Sequence, residues 1–345
     1  MAKGHVVLIE TNAGLGSGFA DADYANQGAK IVATAAEAWA TELVVKVKEP
    51  LAEEYGLLHE DCLCLPTWQQ LRAWQMLWLM PRQQVWPMKR FVIQEGHLPL
   101  LVPMSEVAGR MAVQIGAHFL TKQELVLVLL GGVPGVPKGK VTIIKIVVGT
   151  HAARIALGLG AQVTILDISA KRLSVLEDVF GSQIQTLMSN PFNIEASVRD
   201  ADVVIGAVLI PGAKAPKLVT DDMVKQMRPG SVIVDVAVDQ GGVVETADRV
   251  TTHDEPVYET HGVLHYAVAN IPGAVARTST IALTNVTLPY IEALAGLGFK
   301  QAIQNDEGLR QGVTTYQGHI TSQPVAEGLN RNYTSIDELL YDQSS

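Results

Sequence analysis

Asp239 lies in the run Val234-Asp235-Val236-Ala237-Val238-Asp239-Gln240-Gly241-Gly242. The stretch Ser231 to Val236 is β-branched and apolar, so it reads as a buried strand with Asp239 at its C-terminal tip. In an open α/β sheet the carboxyl ends of the strands form the ligand crevice. A carboxylate there suits a general base or a group that orients water. The competing reading is an aspartate that caps a turn or a helix. Gly206 to Gly212 and Ala269-Asn270-Ile271-Pro272-Gly273 close two further strands and carry small or polar groups on the same side. In Val44-Val45-Lys46-Val47-Lys48 the period of two puts Lys46 and Lys48 on one face, where paired cations suit a carboxylate ligand. A solvated strand edge would show the same pattern. The nine histidines make no metal-ligand spacing, so no metal is expected, and no nucleophile motif is present.

A second acid has a more specific setting. Val141 to Ile144 reads as a strand, His151 to Leu159 as a helix closed by Gly160, and Gln162 to Leu166 as a strand ending on Asp167. Strand, turn, helix, strand and acid make the first half of a dinucleotide-binding unit. The helix N-terminus would face a pyrophosphate, where free N–H groups favour an anion. Asp167 follows Gly149 by 18 residues, at the place where a carboxylate accepts hydrogen bonds from both ribose hydroxyls. It would repel a 2′-phosphate, so the cofactor expected is NAD. Only Gly149, the third glycine of the fingerprint, is present; Lys145 and Ile146 stand near the other two. A plain βαβ unit without a nucleotide is the alternative.

The elements around these residues alternate throughout. His5–Glu10, Lys30–Val32 and Leu43–Lys48 read as strands, and Asp21–Gly28 and the Thr34-capped stretch to Ala40 as helices. The Gly-rich loop Ala13–Gly18 lacks a GK[ST] sequence and reads as a turn. Ser105 reads as the N-cap of a long helix, and Lys171–Phe180 as a helix with Leu173, Leu176 and Phe180 inward. Asp202–Ala207, Ser231–Val236 and Val263–Val268 continue the strands, with a helix over Asp221–Met227. Repeated β/α alternation predicts doubly wound parallel sheets in two Rossmann-like α/β domains. Arg277–Leu297 reads as a helix kinked at Pro289, followed by a polar helical tail. The stretch 60–92 holds four of the five tryptophans and both cysteines, with neither strand alternation nor a helical face.

The 345 residues are 48% hydrophobic and 18% charged, which calls for a large core. A net charge of −9 argues against nucleic acid or an anionic membrane as partner. No apolar run reads as a membrane span, and the opening MAKGHVVLIE lacks a secretory pattern. Cys62 and Cys64 alone make no disulfide framework, which fits a reducing, cytoplasmic setting.

Several long runs resemble alanine dehydrogenases: Pro103 to Arg110, Gly131 to Val136, Ile205 to Pro216, Val234 to Gly242, and Val268 to Val275. The resemblance covers most of residues 4–59 and 94–345. It implies NAD-dependent, reversible oxidative deamination of L-alanine to pyruvate and ammonia by a cytosolic homo-oligomer, a hexamer. It implies a discontinuous substrate domain, 1–103 with 277–345, around a NAD-binding Rossmann domain, 104–276. Lys48 would hold the substrate carboxylate, and Asp239 would orient or activate water. Asp167 and Arg172 would bind the adenosine ribose. Ser105, Val147, Val148, Gly149, Ser189, Val208, Leu209, Val236, Ala237, Val238, Asp239, Arg249, Val268, Ala269, Asn270 and Ile271 would line the rest of the cofactor site.

The departures are local. The sequence starts at the family's Gly-His turn, after the strand and helix that carry a substrate-binding arginine. The place of the family's catalytic histidine falls at Gln69, inside 60–92. The stretch Gln123–Leu127 replaces a Gly-rich segment, and the turn at Lys145-Ile146 is one residue short. Truncation together with compensating frameshifts is the expected cause. The alternative function is an NAD-binding or oligomer-scaffold protein without turnover.

Overall fold

A computed structural model of the chain describes residues 3–47, 50–59, 63–66, 84–85, 100–122, 128–144, 146–208 and 215–341. It divides into two units, Met1–Pro103 with Ala276–Ser345, and Met104–Val275. In chain order the first unit contributes β1 (Leu8–Glu10), β2 (Lys30–Val32), β3 (Leu43–Lys46), β4 (Leu63–Pro66) and β5 (Gln84–Val85). The second holds β6 (Lys140–Ile144), β7 (Gln162–Asp167), β8 (Ile184–Met188), β9 (Val203–Gly206), β10 (Val232–Asp235), β11 (Val257–Thr260) and β12 (Val263–Tyr266). The first unit then resumes with β13 (Thr315–Tyr316) and β14 (His319–Ile320).

The second unit is a seven-stranded sheet in the order β11-β12-β10-β9-β6-β7-β8. From β6 the chain winds outward through β7 and β8, then returns to the other side of β6 for β9, β10 and β12. This is the doubly wound order of dinucleotide-binding sheets, with the switch point between β6 and β9. Its inner strands are buried on both faces, which is why they read as continuous β-branched runs. Successive residues feed opposite layers. Val141, Ile143, Ile165, Val203 and Val234 join Ala112, Val113, Ala152 and Ala156 on one side. Ile144, Leu166, Val204 and Ile233 join Ile194, Val198, Met223 and Val224 on the other.

In the second unit the parallel expectation needs one correction, and in the first unit β13 also pairs antiparallel, with β5 and β14. β11 pairs antiparallel with β12. The connection is two residues, His261 at φ 56° and Gly262 at φ 75°. Two successive positive φ values make a tight hairpin, which only an antiparallel neighbour can use.

Other boundaries also moved. The helix after β6 runs Ile146–Gly158, starting well before the expected His151. The helix expected to be capped by Ser105 spans Val102–Lys122, so Ser105 lies inside its first turn. The 170–180 helix buries Leu173, Leu176 and Phe180 as expected.

In the first unit, β1 and β2 form a parallel pair. Five strands form a mixed sheet, β14-β13-β5-β4-β3. The stretch 60–92, read as neither strand nor helix, thus contributes β4, parallel to β3, and β5, parallel to β4. Thr34 caps the 35–39 helix through Glu37, closing a capping box. The tail is less polar than expected, with Leu309, Val313, Tyr316, Ile320 and Val325 in its core. In the helix Ala276–Asn305 the backbone break falls at Gly298 (φ 73°, ψ 169°), while Pro289 lies inside the helix. Glycine meets no Cβ penalty at that positive φ, so the break goes where the sequence allows it most easily. Ile271–Asn305 is long and apolar enough to cross a bilayer by length and composition, with mean hydropathy 1.2, against the expectation that no run is.

Ile143 is fully buried in β6 at the centre of the sheet. Ile143→Ala should destabilise the protein by about 2–5 kcal/mol in urea denaturation; a loss under about 1 kcal/mol would mean that this layer is not tightly packed.

Candidate functional site

The carboxyl ends of β6, β7, β9, β10 and β12 share one rim of the second unit, because these strands run parallel. At the end of β6 the helix Ile146–Gly158 begins at once. Val148 is buried, and a Cβ at Gly149 would stand 2.8 Å from Ile143 Cγ2. Glycine at this position lets the helix sit hard against the strand, the role of the third fingerprint glycine. Val147 lies in the first turn of the same helix. The 102–122 helix packs on this turn: a Cβ at Gly109 would collide with the Val148 carbonyl. Ser105 is buried one turn earlier on that helix.

At the end of β7, Asp167 is 5% exposed. Its Oδ1 accepts the Ser169 N–H at 2.7 Å. Ser169 Oγ in turn accepts the Arg172 N–H at 3.3 Å, capping the next helix. The Asp167 carbonyl accepts the Ser189 N–H at 2.9 Å. Asp167, Arg172 and Ser189 are therefore brought together by hydrogen bonds at this strand end.

The tip of β9 is tied to that of β6, and the tip of β10 to that of β9. The Ala207 N–H donates to Ile144 O at 3.1 Å and the Val236 N–H to Gly206 O at 2.8 Å. Val208 is buried beside them. After Val236 and Ala237 a 3₁₀ turn covers Val238–Gln240, with Asp239 in its first turn and Gly241 closing it at φ 96°. Asp239 is exposed.

The sequence reading passed over what holds this turn. Asp235 is fully buried. Its Oδ1 accepts the Ala237 N–H at 3.0 Å, and its Oδ2 accepts the Val243 and Val244 N–H groups at 2.7 and 3.2 Å. Burial pushes the Asp235 carboxyl above its ordinary range, opposed by these three donors and by the charge of Lys217. Lys217 Nζ donates to the Gly241 and Val244 carbonyls, both at 2.7 Å. One carboxylate and one ammonium thus satisfy five backbone groups on either side of Asp239. The sequence did carry a signal for Asp235: a single acid inside an apolar strand is rarely buried without partners. Lys217 gave none.

At the end of β12, Val268 and Ile271 are buried, Ala269 is half-buried, and Asn270 takes φ 66°. Thr251 bridges to Val268, its N–H donating to Ala267 O at 2.9 Å, which brings Arg249 to the same rim. Lys48, Leu209 and Gln69 lie outside the described residues. Lys46, read as a partner of Lys48, pairs with Glu54 at 3.0 Å. Cys64 is fully buried. Among the described residues no cluster of metal-ligating side chains occurs. A cavity of about 540 Å³, lined by Leu129, Val133, Lys140, Asp202 and Arg228, lies at the opposite, N-terminal ends of the strands and touches none of these groups.

The rim has the fit a dinucleotide needs: a switch-point crevice, a helix N-terminus packed without a Cβ, and an acid at the second strand end. Two family models match the chain, the alanine dehydrogenase/PNT N-terminal domain over residues 1–108 and its C-terminal domain over 112–323. An alanine dehydrogenase of Staphylococcus epidermidis is 54% identical over 342 residues, 98% of this chain and 92% of that protein. An alanine dehydrogenase 2 of Staphylococcus aureus is 55% identical over 344 residues, with the same two coverages. A solved L-alanine dehydrogenase superposes with a TM-score of 0.90 at 48% identity, covering 95% of this chain and 92% of that one. A transhydrogenase from Sinorhizobium meliloti shares the fold, with a TM-score of 0.77 at 24% identity, covering 93% and 91%.

Asp235→Ala leaves three buried N–H donors without an acceptor and should cost about 3 kcal/mol in urea denaturation; a cost below about 1 kcal/mol would refute the clamp. A pH effect follows from His265, which is 1% exposed. Burial holds its pKa below the ordinary value. The unfolded chain therefore takes up the proton first: stability is full above about pH 6.5 and falls as the pH drops below it. His151, lowered by burial as well, acts with the same sign. The melting temperature should drop between about pH 7 and pH 5, and His265→Asn should flatten part of that drop; an unchanged pH slope in that variant would argue against a buried neutral ring.

Proposed function

We propose, for a chain that belongs to the alanine dehydrogenase/PNT family, the function carried by its close relatives: NAD-dependent oxidative deamination of L-alanine to pyruvate and ammonia, run in either direction. The observation that carries this reading is identity of 54% over 98% of the chain to an alanine dehydrogenase. It favours an enzyme over a scaffold without turnover. The transhydrogenase likeness speaks for the fold alone.

Bound NAD supplies the acceptor for the hydride that leaves the alanine Cα. The chain's own part is to bind, orient and move protons. We assign the second unit, Met104–Val275, to the cofactor and the first to the substrate. Asp167 accepts hydrogen bonds from the adenosine ribose, with Arg172 and Ser189 beside it. The N-terminal turn of the 146–158 helix, with Val147, Val148 and Gly149, receives the pyrophosphate. Val208, Leu209, Val236 to Asp239, Arg249, Val268 to Ile271 and Ser105 line the remainder.

Lys48 pairs with the substrate carboxylate. Asp239 holds the water that attacks the imine carbon and takes up a proton from it at a carboxylate oxygen. Its exposure on a turn whose base is fixed by Asp235 supports this role, since a positioned base needs a rigid seat and access to solvent. The family resemblance further supports a cytosolic homo-hexamer.

Activity is read as NADH formation from L-alanine and NAD. Asp239→Asn keeps the shape of the side chain and removes the base. It should lower kcat by about 10²–10⁴ while NADH affinity changes far less. An unchanged kcat would remove Asp239 from the catalytic role, and NADPH formation at an equal rate would remove Asp167 from the ribose.

A further inference from the structure

On the edge hairpin of the second unit, two side chains that the assignments above do not use, Tyr258 and His265, stack with Arg249. Tyr258 on β11 and His265 on β12 are direct cross-strand partners. Their rings lie 5.1 Å apart at 16°, a face-to-face stack. The Arg249 guanidinium stands over the Tyr258 ring at 4.2 Å from its centre. Two groups on the face of one ring must take opposite sides, so the phenol is layered between histidine and arginine.

Each layer is fixed by a different bond. His265 Nδ1 faces the Val263 carbonyl at 2.9 Å, which can only accept, so this nitrogen carries the proton. Nε2 then accepts from the Thr246 hydroxyl at 2.7 Å. Burial favours the neutral ring, which cannot rotate without losing both bonds. The Tyr258 hydroxyl donates to the Thr246 carbonyl at 2.9 Å, so its ring is pinned at the far end as well. Arg249 Nε donates to Asp248 Oδ1 at 3.0 Å. With 59% of its side chain exposed, Arg249 has no packing reason to hold one conformation. An exposed arginine ordinarily spreads over many rotamers and gives up that freedom when it binds. Here the stack and the adjacent carboxylate remove the freedom in advance. The backbone sets where this happens: Thr251, two residues on, bridges to Val268 at the carboxyl end of β12.

We propose that Tyr258 is a positioning residue for the cofactor, holding the Arg249 guanidinium at the rim in its binding orientation, with His265 fixing the Tyr258 ring from behind. The proposal rests on the assignment of Arg249 to the cofactor site. The interaction it invokes is cation–π, so it needs the aromatic face and not the hydroxyl. Preorganisation of this kind strengthens binding by lowering the entropy lost on association, without adding a contact.

The test is NADH binding, followed by cofactor fluorescence, with the full-length protein and its Arg249→Met, Tyr258→Leu, Tyr258→Phe and Arg249→Met/Tyr258→Leu variants. Arg249→Met should raise Kd about tenfold, and Tyr258→Leu should raise it about three- to tenfold. Tyr258→Phe keeps the ring and should stay close to the parent protein, which also controls for folding of the hairpin. In the Arg249→Met background, Tyr258→Leu should add nothing. In steady state, Tyr258→Leu should raise KM for NAD by more than it lowers kcat. An equal effect of Tyr258→Leu with and without Arg249 would overturn the proposal, because the tyrosine would then act by another route. So would an unchanged Kd in Tyr258→Leu when Arg249→Met raises it. An unchanged Kd in Arg249→Met itself would instead remove Arg249 from the cofactor site, and the proposal with it.

Discussion

A parallel sheet buried on both faces has its polar backbone satisfied along the ladder and nowhere else until the strands end. At the ends the chain must find new partners for N–H and C=O groups that water cannot reach. At the end of β10 in the second unit a single buried carboxylate meets this demand. Asp235 gathers the N–H groups of Ala237, Val243 and Val244, one residue set before the Asp239 turn and one after it. Lys217 gathers the opposing carbonyls of Gly241 and Val244. The loop is closed at its base like a ring, and Asp239 projects from it.

This division of labour explains how one acid can be buried and its near neighbour exposed. Asp235 is surrounded by donors and has nothing to give to a substrate. Asp239 sits four residues on, in a turn that can be rigid only because its base is. The same economy appears at β7, where the Asp167 side chain caps its own turn while its carbonyl ties down Ser189. At both strand ends a buried carboxylate holds backbone N–H groups.

Much of this was legible in the sequence because buried parallel strands advertise themselves. β6, β7, β9 and β10 coincide with runs rich in β-branched residues, Asp167 ends β7, and Asp239 follows the end of β10 by four residues. The misses have physical causes. The early start of the 146–158 helix was hidden because its first turn, Ile146-Val147-Val148-Gly149, is β-branched and ends on glycine, so composition pointed to the Ala/Leu-rich part. β11 was invisible because Val257-Tyr258-Glu259-Thr260 has no burial pattern of its own; its partner β12 and the two-residue turn define it. β4 and β5 lie in a stretch whose tryptophans and cysteines obey no period, and there pairing with neighbours overrode local preference. Asp235 was overlooked because it belongs to a strand, and the search for chemistry looked past strands to their tips.

The first unit is interrupted by the second, and this bears on how the protein is made. In the mixed sheet β13 lies between β5 and β14, so strands from opposite ends of the chain are neighbours. A ribosome delivers β3, β4 and β5 early, but their partner β13 emerges only after Thr315 has been translated. The second unit has all of its strands in hand once Tyr266 is out. Domains generally fold as units during synthesis. In this chain the inserted unit can finish first, while the amino-terminal strands wait with an open edge for the last part of the chain. The vulnerable interval in biosynthesis therefore belongs to the segment made earliest, and its length is set by the time needed to translate everything between Val85 and Thr315.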